Sequence, residues 1–121
     1  MALNTNAALP AKFVQAIHQV ESSGKVGLIY GDSKMSLGPL MISKNCWIDS
    51  KISGSYIQCT NLAYSVKVME AYLNRYCPQS VKIQDFESMA RCWNSGPNFA
   101  KKKHLTQNYW LKVQKELKKA K

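Results

Sequence analysis

Two acidic residues near the start of the chain, Glu21 and Asp32, stand eleven positions apart. The chain has only seven acidic residues among 121, so two in one short segment attract attention. Cleavage of a glycosidic bond needs one protonated carboxyl, which donates to the leaving oxygen. It also needs one ionised carboxylate, which attacks or stabilises the positive sugar carbon. The pair therefore suggests this chemistry, and the surroundings must support it.

The local sequence predicts different environments for the two carboxyls. Glu21 follows Val20 near the end of an amphipathic helix predicted over residues 10–22, where burial favours the protonated form. Asp32 lies in the turn-rich segment 31–34, where hydrogen bonds and water favour the charged form. The alternatives are an exposed acid near a helix end and a simple turn-forming aspartate.

The elements that must position these residues are mostly helices. Helical periodicity predicts four of them, near residues 10–22, 58–76, 86–93 and 105–120, and a short strand over residues 26–30. The last helix is expected to bury an apolar stripe of Leu105, Tyr109, Val113 and Leu117, joined by Trp110. The predicted fold class is α+β, mostly helical, with a small early β-hairpin or sheet.

Composition indicates a folded globular chain. Its 45% hydrophobic content and 121 residues suit one domain over residues 1–121. No apolar run reaches 18 residues, so no membrane span is expected. The segment at residues 1–6 does not resemble a signal peptide, although a mature secreted chain with a new start methionine would look the same.

Positive charge is concentrated at the end of the chain. The net charge is +10, of which residues 101–121 carry +7. Such a tail favours anionic partners, namely bacterial walls, anionic membranes or nucleic acid, and a solvated helix face is the alternative. No zinc-finger, helix-turn-helix or RNA-binding motif is present, so no specific nucleic-acid partner is expected.

Four cysteines, Cys46, Cys59, Cys77 and Cys92, permit two disulfides in three pairings or four free buried thiols. They include no CxxC pair, so a zinc site is not expected. The sequence predicts no metal and no cofactor.

Six short motifs in a fixed order resemble the invertebrate-type (destabilase) lysozymes. The resemblance covers residues 13–114. It rests on Gln19-Val20-Glu21-Ser22, Asp32 with Ser36-Leu37-Gly38-Pro39, Trp47-Ile48-Asp49, Tyr72-Leu73-Asn74-Arg75-Tyr76, Ala90-Arg91 with Asn94-Ser95-Gly96-Pro97-Asn98, and Tyr109-Trp110-Leu111-Lys112-Val113-Gln114. The chain departs from the family at Leu37 and Ser50, where cysteines are usual, at Leu40-Met41, which replaces an aromatic-Gln pair, and at Trp93, where a histidine is common.

The resemblance implies a lysozyme-like fold and a muramidase that cleaves the β-1,4 bond between N-acetylmuramic acid and N-acetylglucosamine in peptidoglycan. Glu21 would be the general acid and Asp32 the nucleophile or ion stabiliser, with retention favoured. Sugar-binding candidates are Tyr72, Trp93, Asn94, Gly96, Pro97 and Asn98. Core packing is the alternative for Tyr72 and Trp93. Secretion or a lysosomal or digestive compartment is expected, with a monomer or weak dimer.

Two further functions stay open at this point. The family resemblance allows isopeptide cleavage by Ser36 with Lys25 as base, provided that the lysine is desolvated. A non-enzymatic cationic antimicrobial or carbohydrate-binding protein, acting through helix 105–121, is the other alternative.

Overall fold

The computed structural model of the protein describes residues 6–31 and 33–119. Within them, helices surround a small antiparallel sheet. The α-helices are α1 (Ala11–Ser22), α2 (Lys44–Ser50), α3 (Leu62–Tyr76), α4 (Pro78–Ile83), α5 (Phe86–Ser95) and α6 (Lys103–Lys119), with 3-10 helices at Tyr56–Thr60 and Phe99–Lys102. The mostly helical α+β class predicted from the sequence is confirmed.

Helix α1 begins and ends where its sequence predicts. Pro10 caps its start in extended backbone, and Ser23 ends it in the left-handed conformation. Phe13 and Ile17 are fully buried on one face, four residues apart as helical packing requires. This packing fixes the last turn of α1, which carries Glu21.

The sheet is shorter than the sequence predicts. Its strands are β1 (Tyr30–Gly31), β2 (Ser36–Leu37) and β3 (Ile42–Ser43), in the order β1-β2-β3. Gly31 pairs with Ser36, and Ser36 pairs with Ser43. The strand predicted over residues 26–30 was wrong except at its end, because Val26 and Leu28 are 63% and 65% exposed and have no apolar surface to cover them.

The Gly-Pro step between β2 and β3 has a steric cause. Gly38 has a φ of +84°, and a Cβ at this position would overlap the carbonyl oxygen of Cys59. Only glycine combines that backbone angle with so close an approach. Leu37, Pro39 and Leu40 are buried around it, so the hairpin is attached to the core at this turn.

Helix α3 begins later than predicted. Asn61 caps it through a hydrogen bond from the N–H of Tyr64 to Oδ1, 2.9 Å long, and residues 58–60 belong to the preceding 3-10 helix. The sequence of this helix predicts an apolar stripe at three- and four-residue steps, and two of its members are fully buried, Met69 and Leu73 of Leu62, Val66, Met69, Leu73 and Tyr76. Val68 and Tyr72 are buried as well, so α3 presents a wider apolar face than the predicted stripe.

Helices α5 and α6 are joined by a buried cation. The Arg91 guanidinium donates to the carbonyl oxygen of Lys103 and to Oγ1 of Thr106, both at 2.9 Å, and to Oε1 of Gln107 at 2.7 Å. It also pairs with Glu87 at 3.0 Å. This contact aligns α6 across the end of α5.

The last helix departs from its predicted apolar stripe at its start. Leu105 is 63% exposed rather than part of the buried stripe, and Thr106 is buried in its place.

All four cysteines are free thiols, so the disulfide alternative is not confirmed. Among the described residues, no helix is long and apolar enough to cross a membrane.

Candidate active site

A cavity of about 240 Å³ lies between the helices and the sheet. Its helical wall consists of Glu21 from α1 and Trp93 and Asn94 from α5. Its hairpin wall consists of Ser36, Met41, Ile42 and Ser43, and Cys46 of α2 completes the lining. The cavity therefore combines one carboxyl, hydroxyl and amide groups and an aromatic ring.

Glu21 is half-buried in this cavity and is hydrogen-bonded to a helix that is distant in sequence. The hydroxyl of Tyr109, on α6, donates to Oε2 of Glu21 at 2.8 Å. Burial, followed by the charge of Glu21 and this hydrogen bond, raises the pKa of Tyr109 well above its usual value. The phenol consequently keeps its proton, and remains a donor to Glu21, throughout the neutral range.

Cys46 brings a neutral thiol to the same cavity. Burial, with smaller effects from Cys59, Asp49 and Glu21, raises the pKa of its thiol to about 12. A thiol that is protonated at neutral pH is a poor nucleophile. Cys46 therefore contributes shape and low polarity beside Glu21 rather than nucleophilic chemistry.

Trp93 and Tyr72 form a pair in which only one ring reaches the cavity. Trp93 lines it, although only 9% of the residue is exposed. Tyr72 packs its ring edge-on against Trp93, with centroids 5.7 Å apart and planes at 83°. Tyr72 is 8% exposed and belongs to the core, so it supports the cavity wall from behind.

The predicted sugar-binding loop is only partly assembled at the cavity. Asn94 lines it, whereas Gly96, Pro97 and Asn98 are absent from its lining. A Cβ on Gly96 would lie 3.5 Å from the hydroxyl of Tyr72, so the loop lies beside that hydroxyl. Asp32 lies outside the described residues. Its neighbour Gly31 pairs with Ser36, which lines the cavity.

The two isopeptidase candidates lie in different environments. Ser36 is buried and lines the cavity, whereas Lys25 is exposed and does not. The backbone carbonyl of Lys25 accepts hydrogen bonds from His18 at 2.7 Å and Ser22 at 3.2 Å, which closes the end of α1. Lys25 thus lacks the desolvation that a lysine base requires.

The small sheet, the helices facing it and the cavity between them define a lysozyme-like α+β protein. A chain of the crystal structure of Aeromonas hydrophila PliI in complex with Meretrix lusoria lysozyme matches with a TM-score of 0.73 and 26% identity, covering 88% of this chain and 89% of that chain. Lysozyme 1 of Crassostrea virginica is 33% identical over 104 residues, which are 84% of this chain and 56% of that relative.

These similarities confirm the family indicated by the motifs: the chain belongs to the invertebrate-type lysozymes. It spans about half the length of the curated relative that it matches. No family model matches the sequence.

Sequence reasoning missed several residues at this cavity. Tyr109 is separated from Glu21 by 88 positions, and no local pattern links them. Met41, Ser43 and Cys46 also line the cavity without having been predicted to do so. The described residues contain no group of three or more His, Cys, Asp or Glu side chains placed to hold a metal ion.

Proposed function

We propose that the protein is a muramidase, a glycoside hydrolase that cleaves the β-1,4 bond between N-acetylmuramic acid and N-acetylglucosamine in peptidoglycan. The observation that carries the proposal is the position of Glu21, half-buried in a cavity with polar and aromatic groups. Similarity to Lysozyme 1 of Crassostrea virginica supports a lysozyme-type glycosidase in general.

Glu21 acts as the general acid in this proposal. Its carboxyl proton passes to the glycosidic oxygen as the bond to the anomeric carbon breaks, and water then supplies a hydroxyl to that carbon and returns a proton to Glu21. Asp32 is the nucleophile or ion stabiliser, a role that rests on its sequence position and the family resemblance. Trp93 and Asn94 offer an aromatic ring and an amide to the N-acetylated sugars.

Charge and compartment fit this proposal. A net charge of +10 attracts the protein to the anionic bacterial wall, where the substrate lies. A lysozyme relative supports action outside the cell or in a digestive compartment. Chitin oligomers, which share the N-acetylated β-1,4 linkage, are secondary substrates in this proposal.

Replacement of the proposed acid tests the function. Glu21→Gln keeps the shape of the side chain but removes its proton, and clearing of a bacterial wall suspension should fall about 10²–10⁴-fold. Glu116→Gln is the matched control, because Glu116 lies on α6, pairs with Lys119 at 3.1 Å and does not line the cavity. Full clearing by Glu21→Gln would remove Glu21 from the acid role.

The basic last helix offers a contrasting function that the same assay separates. In the folded protein α6 packs against α1 and α5 and buries Val113 and Thr106, so part of its surface is already used in the core. If a heat-denatured sample or Glu21→Gln killed bacteria as well as the intact protein, a cationic antimicrobial mechanism would replace the enzymatic one.

A further inference from the structure

We infer that Tyr109 is a positioning residue for the proton donor: its hydroxyl donates to Oε2 of Glu21 and restricts the orientation in which the carboxyl meets the substrate. The inference rests on the proposed function and adds a residue to it. The hydrogen bond of 2.8 Å that joins these two side chains spans 88 positions of sequence.

The hydrogen bond is set by the packing of two long helices. Helix α6 lies against α1, and Val113, one turn after Tyr109 on α6, is fully buried. Glu21 is in the last turn of α1, so its side chain needs a support outside its own helix. Tyr109 provides that support from α6, and the carboxyl cannot rotate without breaking the bond.

The titratable groups around Glu21 fix the direction of this hydrogen bond, in which Tyr109 donates and Glu21 accepts. Among the described side chains that line the cavity with Glu21 or bond to it, the titratable ones are Tyr109 on α6 and Cys46 on α2. Both stay protonated at neutral pH, because burial is the leading cause that raises the pKa of each. Asp32, outside the described residues, is the third group of the proposed chemistry. A neutral phenol can donate to Glu21 in every state in which the carboxyl is ionised.

Tyr109→Phe removes the hydroxyl and keeps the ring. The ionised carboxylate then loses a donor, which favours the protonated form, so the basic limb of the pH profile of kcat/KM should move up by about one unit. The carboxyl also loses one of the contacts that orient it, so kcat should fall roughly tenfold while KM changes little. A pH profile that superimposes on that of the unmodified protein would overturn the inference.

Tyr64→Phe is the matched control for a purely structural hydroxyl. Tyr64 donates to the carbonyl oxygen of Ser53 and accepts from the indole N–H of Trp47, both at 2.9 Å, and does not line the cavity. Its loss should lower stability and leave the pH profile in place. If Tyr64→Phe moved the profile as far as Tyr109→Phe does, the effect would be general and the inference would fail.

A double-mutant cycle tests the contact independently of activity. Urea unfolding of Tyr109→Phe, Glu21→Ala and the double variant should show that the loss of the hydroxyl changes the unfolding constant about tenfold less when Glu21 is absent. Additive effects would contradict the contact. If the cycle showed this coupling but Glu21→Gln remained fully active, the contact would be real and the proposed function would be wrong.

A measurement on the unmodified chain covers the case in which Tyr109→Phe does not fold. The ¹³Cζ resonance of Tyr109 should shift at the pH where Glu21 titrates, and this step should be absent in Glu21→Gln. A resonance that does not respond to that titration would refute the inference.

Discussion

The two walls of the cavity are built in different ways. The helical wall presents Glu21, Trp93 and Asn94 from α1 and α5, helices of 12 and 10 residues. Both helices are joined to α6 by hydrogen bonds, α1 through Glu21 and α5 through Arg91. The hairpin wall consists of strands of two residues each. In this account the proton donor lies on the wall with the more extensive support.

The difference shows what each wall requires to keep its shape. Strands of two residues form too few ladder hydrogen bonds to be stable alone. The hairpin wall therefore depends on one tight turn and on burial of Leu37, Leu40 and Ile42. The helical wall depends on the core and on the polar contacts of Arg91. Substitutions that weaken one wall at a time should separate these two forms of support.

The largest expected effect comes from the turn of the hairpin wall. Gly38→Ala places a Cβ against the carbonyl of Cys59 at a φ of +84°, so the free energy of unfolding should fall by about 3 kcal/mol. Gly27→Ala is the control, because Gly27 has a similar φ of +95° but open space around its Cβ position. It should cost only about 1 kcal/mol of backbone strain.

Urea unfolding of both variants provides the measurement. Equal losses of unfolding free energy would mean that backbone strain alone accounts for the effect of Gly38→Ala and that the contact with Cys59 contributes nothing.

The next effect concerns the helical wall. Arg91→Met keeps a long apolar side chain but leaves buried acceptors on α6 without a donor, so unfolding free energy should fall by about 2 kcal/mol. Arg75→Met is the control, because Arg75 is exposed and its bond to the carbonyl of Asp49 is 3.2 Å long. Thermal or urea unfolding should give less than about 1 kcal/mol for the control. An equally small loss for both would show that Arg91 does not hold α5 and α6 together.

The smallest expected effect concerns the reactivity of the Cys46 thiol, which completes the lining of the cavity between the two walls. With a pKa of about 12, the Cys46 thiol ionises to roughly one part in ten thousand at pH 8. Alkylation by iodoacetamide, followed by peptide mass mapping, should be slow in the native protein. It should accelerate about tenfold per unit as pH rises from 8 to 10, because the thiolate fraction grows by that factor. Rapid modification of Cys46 at pH 8 would contradict a desolvated thiol in the cavity.

Local sequence signals predicted the helical wall well. Helix α1, with Phe13 and Ile17 four positions apart, and the cap of α5, where Oδ1 of Asp85 accepts from the N–H of Ser88, both follow from residues close in sequence. Glu21 was singled out because it stands eleven positions from Asp32 in a chain with only seven acidic residues.

What the sequence did not reveal depends on contacts between distant residues. Leu105 fits the helical period of α6, yet it is exposed because the buried Arg91 requires Thr106 at the interface instead. The partnership of Tyr109 with Glu21 exists only once α6 lies against α1. The hairpin wall was predicted only in outline, because its strands are too short to show a period of two.

Analysis of the products from a purified peptidoglycan digest tests the central claim most directly. Mass spectrometry should find disaccharide-peptide fragments that have each gained one water at a reducing N-acetylmuramic acid, and these should be nearly absent from a digest with Glu21→Gln. Fragments cut within their peptides, anhydro-sugar ends in place of reducing ends, or equal product from Glu21→Gln would contradict hydrolysis by this cavity.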